Sequence, residues 1–148
     1  MTPRIFVLNG PNLNLLGKRE PHIYGHTTLA DIEQLCIEAA AKSGVEVDFR
    51  QTNYEGKLVD WIQEAREEAQ AIVINAAAYT HTSVAVHDAL KTFEGVKVEL
   101  HISNPHMREP FRHLSYVSSA VDSISAGLGF RGYPLVVDLV AKKLVAAA

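Results

Sequence analysis

The sequence has little of what marks several common protein classes. It holds one cysteine, Cys36, so no internal disulfide forms and no multi-cysteine zinc site exists. A single thiol suits a reducing compartment, and the cytoplasm is the expected location. No apolar run reaches the roughly 18–20 residues of a membrane span. The apolar stretch at 5–8 is too short for a signal peptide and is too soon followed by Asn9-Gly10-Pro11-Asn12. There is no basic excess: 14 Lys and Arg stand against 17 Asp and Glu, giving a net charge of −3. Neither nucleic acid nor an anionic membrane is therefore an expected partner. No Gly-x-Gly-x-x-Gly follows the first apolar run, and no Gly-x-x-x-x-Gly-Lys-Ser/Thr occurs anywhere. That run ends in Asn9 instead of the acidic cluster of a magnesium-dependent receiver domain. Seven histidines are present, but none shows His-Glu-x-x-His or a similar spacing, so no catalytic metal is expected.

What remains is a near-average globular composition, 47% hydrophobic and 21% charged over 148 residues. That length fits one domain, 1–148, which buries roughly two-thirds of its unfolded surface without needing a disulfide or metal. Apolar runs of strand length fall at 5–8, 45–49, 71–74, 96–102 and 121–126. Helical periodicity separates them. Leu29, Ile32, Leu35, Cys36 and Ala39 form one stripe, capped by Thr28 and ended at Ser43-Gly44. Leu58, Ile62, Ala65 and Ala69 form a second. Val86, Leu90 and Phe93 form a third, capped by Thr82 or Ser83. A last helix, with Pro134 as its first residue, holds Leu135, Leu139, Val140 and Leu144. Strands alternating with helices through short links predict an α/β fold: a flavodoxin-like three-layer sandwich around a five-stranded parallel sheet. Ligands of such sheets bind at the carboxyl ends of the strands, near the switch in strand order, which singles out the loops after strands 1, 3 and 4.

The loop after strand 1 runs from Asn9 to Gly25, against ~2–6 residues for a plain connection in this fold. It carries Asn12, Arg19 and Tyr24, with Gly17 and Gly25 placed as hinges and Pro21 stiffening its middle. The alternatives are a binding loop or lid, and a decorated turn region. In the loop after strand 3, Asn75 ends the strand and His81 precedes a helix N-terminus, where free N–H groups favour anionic or oxygen-rich ligands. On the helix that follows, Asp88 lies opposite the inward stripe, beside Val84. It is either a solvated carboxylate or part of a face that meets another subunit.

In strand 4, Glu99 and His101 are two apart and share a face. Such a pair is either a structural ion pair or a general acid or base, since the carboxylate fixes the ring's tautomer and raises its pKa. Arg108 and Arg112 follow at a spacing of four, the spacing of one face of a short helical turn, with Pro110 between them as the residue able to distort it. Two guanidiniums there suit a carboxylate or phosphate.

Together these segments resemble the type II 3-dehydroquinate dehydratases. The likeness rests on residues 9–17 with Arg19-Glu20-Pro21 and Tyr24-Gly25, then Gln51-Thr52-Asn53-Tyr54-Glu55-Gly56. Tyr79-Thr80-His81-Thr82-Ser83, His101-Ile102-Ser103-Asn104, and Arg108-Glu109 through Arg112-His113 follow in the family's order. Gly127-Leu128-Gly129 and Gly132-Tyr133 complete it. A departure is Ala76-Ala77, where the family often has Pro-Gly, which bears on the backbone path of that loop.

The resemblance implies a cofactor-free dehydration of 3-dehydroquinate to 3-dehydroshikimate through an enolate. Tyr24 is then the base at carbon 2, made acidic by Arg19 with help from Arg108. Asn12 holds a water at the enolate oxygen, and His101, oriented by Glu99, protonates the departing hydroxyl. Asn75 and the backbone N–H groups of Ile102 and Ser103 hold the substrate carboxylate. His81, Arg112 and Asp88 of a neighbouring subunit bind hydroxyls, in trimers assembled into dodecamers. The competing expectation is a flavodoxin-like binding or regulatory module with no catalysis, which the missing phosphate loop disfavours.

Overall fold

The sheet is built outward from its first strand. β1 (Arg4–Asn9) is apolar at four successive positions, Ile5 to Leu8, all fully buried. A parallel strand covered on both faces requires such a run. The structure is a computed structural model that describes residues 2–147, with the backbone alone for Ile23 and Tyr24. β1 pairs with β2 (Glu46–Gln51) on one side and with β3 (Ala71–Asn75) on the other. β4 (Val96–His101) and β5 (Ser123–Ala126) extend the β3 side, so the parallel order is β2-β1-β3-β4-β5. This is the flavodoxin-like order, and strand placement reverses between β1 and β3. Asn9 and Asn75 are register partners at that reversal.

Besides the single-turn α1 (Pro21–Tyr24), helices cover both faces. α2 (Leu29–Ala41) and α5 (Gly132–Ala146) pack on Ile5, Val7, Val73 and Leu100. α3 (Glu55–Glu68) and α4 (Val84–Lys91) pack on Phe6, Leu8, Ile72 and Ile74. Alternate strand residues thus feed two cores, the period-2 rule at work on both sides of one sheet.

Local chemistry explains the helix starts. Thr28 accepts from the Asp31 N–H while the Asp31 side chain accepts from the Thr28 N–H, a complete capping box. Ser83 accepts from the Val86 N–H and is the cap of α4, settling the choice between Thr82 and Ser83. α2 ends through Gly44 at φ 71, as the sequence predicts.

Three expectations need correction. α5 begins at Gly132, so Pro134 is its third residue; the first turn has no use for that N–H, and the ring fits there too. Strand 4 stops at His101, and β5 starts at Ser123, just after Asp122, whose N–H donates to the Lys97 carbonyl and whose carboxylate accepts from the Lys97 N–H. On α5, Leu135 and Leu139 face outward, 52% and 59% exposed, while Val136, Val137, Val140 and Ala141 form the buried stripe.

Ala77 sits at φ 53, in the left-handed region where a Cβ costs roughly 1–2 kcal/mol. The strain is imposed by its neighbours: Ala77 N–H donates to Asn75 Oδ1, and Gly10 N–H donates to the Asn75 carbonyl. Ala77→Gly is expected to raise unfolding free energy by about 0.5–1 kcal/mol, net of the extra unfolded-state entropy of glycine. Urea unfolding of the two proteins measures it, and a destabilised variant would contradict this account of the loop.

Candidate active site

The carboxyl ends of β1, β3 and β4 border a cavity of about 290 Å³. Its wall contains nine of the twelve residues singled out from the sequence: Asn12, Arg19, Asn75, His81, His101, Ile102, Ser103, Arg108 and Arg112. Of the other three, Glu99 lies behind His101. Asp88 is exposed on α4, next to Val84 at 53% exposure, and does not line this cavity of its own chain. The Tyr24 side chain lies outside the described residues; its backbone closes α1 and is followed by Gly25 at φ 81.

β4 supplies a buried carboxylate–histidine pair. Glu99 is 2% exposed and His101 Nε2 donates to its Oε2 at 2.5 Å. Ser115 Oγ donates to the same oxygen at 2.9 Å and Ser118 Oγ to Oε1 at 2.5 Å. Burial alone would raise the carboxyl's pKa, but the bonds from His101, Ser118 and Ser115 outweigh it and hold Glu99 below its ordinary range. The anion therefore fixes the ring through Nε2 and leaves Nδ1 as the nitrogen not engaged with it. Ser115 Oγ also accepts from the N–H groups of Val117 and Ser118, so this turn is folded around the carboxylate.

His81 is oriented from the opposite side. Its Nδ1 faces the Leu114 carbonyl at 2.8 Å and must carry a proton to donate there. In the neutral ring, Nε2 is then an acceptor, suited to a hydroxyl.

The arginines are both in the wall, but not as expected. Pro110 divides their segment into two short 3-10 turns, Pro105–Met107 and Pro110–Arg112, and Arg108 between them is extended. The residue before a proline avoids helical backbone, so no common helical face forms. Glu109 joins the two instead: Arg112 Nε donates to it at 2.9 Å, and Arg108 Nε stands 3.8 Å away.

The long loop is anchored at its start by residues the sequence reading gave no role. Gln51 Nε2 donates to the Gly10 carbonyl and to Asn53 Oδ1, which also accepts from the Asn12 N–H. Asn12 adopts φ 71, a conformation asparagine tolerates, and its side chain lines the cavity. Gly17, at φ 77, has no room for a Cβ, which would lie 2.7 Å from the His26 carbonyl oxygen.

Under the cavity floor, Asn75 Nδ2 donates to Tyr133 Oη, and Tyr133 Oη donates to Asn9 Oδ1. No lysine lines the cavity among the described residues. Cys36 is remote in the core, its thiol pushed up to about 12 by burial, and is unsuited to act as a nucleophile.

A fold of this order, with a carboxylate–histidine pair and three arginines around a cavity at the carboxyl edge of its sheet, has the equipment of an enzyme. The model of the family described as dehydroquinase class II matches residues 3–141, and the chain belongs to that family. The 3-dehydroquinate dehydratase of Streptomyces coelicolor is 62% identical over 138 residues, 93% of this chain and 88% of that protein. That of Bartonella henselae is 57% identical over 97% of both chains. The crystal structure of a type II dehydroquinase from Propionibacterium acnes superposes with a TM-score of 0.90 at 44% identity, covering 96% of this chain and 98% of that one.

The depressed pKa of Glu99 gives a stability signature. Its contribution is complete above the ordinary value of 4.5 and is lost as pH falls through the lower folded value. Glu99→Gln should flatten the acid limb of the stability–pH curve as pH falls below the ordinary carboxyl value of 4.5. Urea unfolding across that range, for both proteins, measures the difference; parallel acid limbs would show that Glu99 is not held ionised.

Proposed function

We infer that this chain catalyses the reaction its relatives are named for, the dehydration of 3-dehydroquinate, as a type II enzyme of the shikimate pathway. His101, backed by the buried Glu99 anion at a cavity lined by three arginines, carries this reading.

Tyr24 is the proposed base. An ordinary phenol has a pKa of about 10, so a neighbouring cation must favour the phenolate. Arg19 in the same loop supplies it, with Arg108 helping. The phenolate takes the proton from carbon 2, and the electrons pass to the ketone oxygen as an enolate. A water held by Asn12 donates to that oxygen. The enolate then collapses, the carbon–oxygen bond at carbon 1 breaks, and His101 gives its proton to the departing hydroxyl. The products are a conjugated enone and water, and no step changes an oxidation state. Asn75 and the N–H groups of Ile102 and Ser103 hold the substrate carboxylate. His81 accepts from one hydroxyl, consistent with its Nδ1–H tautomer, and Arg112 donates to another.

Asp88 is assigned to a hydroxyl in the cavity of a neighbouring subunit, within trimers that build a dodecamer. Its outward position beside exposed Val84 supports this. The single buried Cys36 suits the reducing cytoplasm.

Absorbance of the enone tests the reaction directly. Tyr24→Phe is expected to lower turnover by about 10²–10⁴-fold while substrate binding persists, and near-normal turnover would remove Tyr24 from the role of base. His101→Ala should stop water loss yet permit exchange of the carbon 2 proton, followed by NMR in deuterated water; unchanged steady-state rates would refute its role as acid. Light scattering is expected to give a multiple of the 16.2 kDa chain, and a stable active monomer would exclude Asp88 from the site.

A further inference from the structure

Tyr133 is fully buried in the first turn of α5, with its hydroxyl between the ends of β1 and β3. It donates to Asn9 Oδ1 at 2.7 Å and accepts from Asn75 Nδ2 at 2.9 Å. Asn9 Nδ2 in turn donates to the Arg50 carbonyl at 2.9 Å. The direction of every bond follows from the two ends. A backbone carbonyl only accepts, so Arg50 takes the amide nitrogen of Asn9 and leaves the Asn9 oxygen to Tyr133. The phenol has one proton, commits it to Asn9, and can only accept from Asn75. At the far end the Ala77 N–H only donates, and it takes Asn75 Oδ1 at 3.2 Å. Both halves of the Asn75 carboxamide are thus assigned by groups that cannot exchange roles. The second hydrogen on Nδ2 is the one left for the cavity that Asn75 lines.

We propose that Tyr133 is a positioning residue for the reaction, which turns the Asn75 carboxamide so that it offers a donor, not an acceptor, to the anionic end of the substrate. The proposal rests on the reading of Asn75 as a ligand of the substrate carboxylate. A contact of that kind is made equally in the ground and transition states, so its loss raises KM and leaves kcat nearly unchanged.

The test is a double-mutant cycle of Tyr133→Phe and Asn75→Ala, with kcat and KM from the enone assay and folding checked by circular dichroism. Tyr133→Phe is expected to raise KM about tenfold, keep kcat within about twofold, and add nothing in the Asn75→Ala background. A folded Tyr133→Phe with unchanged KM, or an effect that adds in full to Asn75→Ala, would overturn the proposal, since a merely structural tyrosine acts in either background. An unchanged KM in Asn75→Ala alone would instead sink the carboxylate reading, and the proposal with it. If Tyr133→Phe does not fold, Asn9→Ala replaces it. That change frees the phenol's proton to compete for Asn75, and the same KM rise and lack of additivity are expected; their absence overturns the proposal.

Discussion

A carboxylate removed from water inside a folded chain costs several kcal/mol unless donors surround it. Glu99 meets that requirement with three, and the way it does so organises one side of the molecule. Two donors, Ser115 and Ser118, belong to an irregular segment that also sends Val117 and Ala120 into the core. The anion gives that segment a reason to fold back over β4. Three further bonds hold it from the α4 side: His81 and His87 donate to the Leu114 and Tyr116 carbonyls, and the Tyr116 N–H donates to the Thr80 carbonyl. The third donor to Glu99 is His101, so the group that fixes the loop also fixes the ring that faces the cavity. Stability and chemistry are tied to one charge.

The other side of the cavity is built differently. It uses neutral amides and a phenol, and its order comes from the fixed polarity of backbone groups at each end. Gln51 and Asn53 hold the start of the long loop, and Asn9, Tyr133 and Asn75 lie beneath it. Parallel strands end with unpaired carbonyls and N–H groups at the edge where a ligand must sit. Here several of those groups are paired to side-chain amides, which leaves few backbone dipoles competing for the ligand.

The alternation of apolar runs and amphipathic stripes made the sheet, its cover and its ligand edge legible from residues alone. The Thr28 cap was legible for the same reason, a polar residue before an apolar stripe, whereas the choice between Thr82 and Ser83 needed the structure. The spacing of Glu99 and His101 placed both on one face because a strand has a period of two. Between Arg108 and Arg112 the spacing of four and Pro110 point in opposite directions, and the proline prevails. Ser115 and Ser118 carry no periodic or motif signal; only the path of the chain brings them to Glu99. Tyr133 did leave a trace, since a tyrosine within an apolar helix must find a partner for its hydroxyl. The partner's identity depends on two strand ends that are remote in the chain.

That remoteness has a kinetic consequence. The Tyr133–Asn9 bond spans 124 positions, and β1 is an interior strand of the sheet although it is made early. Strand pairing can begin once β2 and β3 have left the ribosome, but the Asn75 amide stays unaligned until α5 docks. Closing so distant a pair is slow relative to local turns. The last helix to be made thus supplies both the cover for one face of the sheet and the hydroxyl that aligns Asn75, so folding of the core and assembly of the ligand edge finish together.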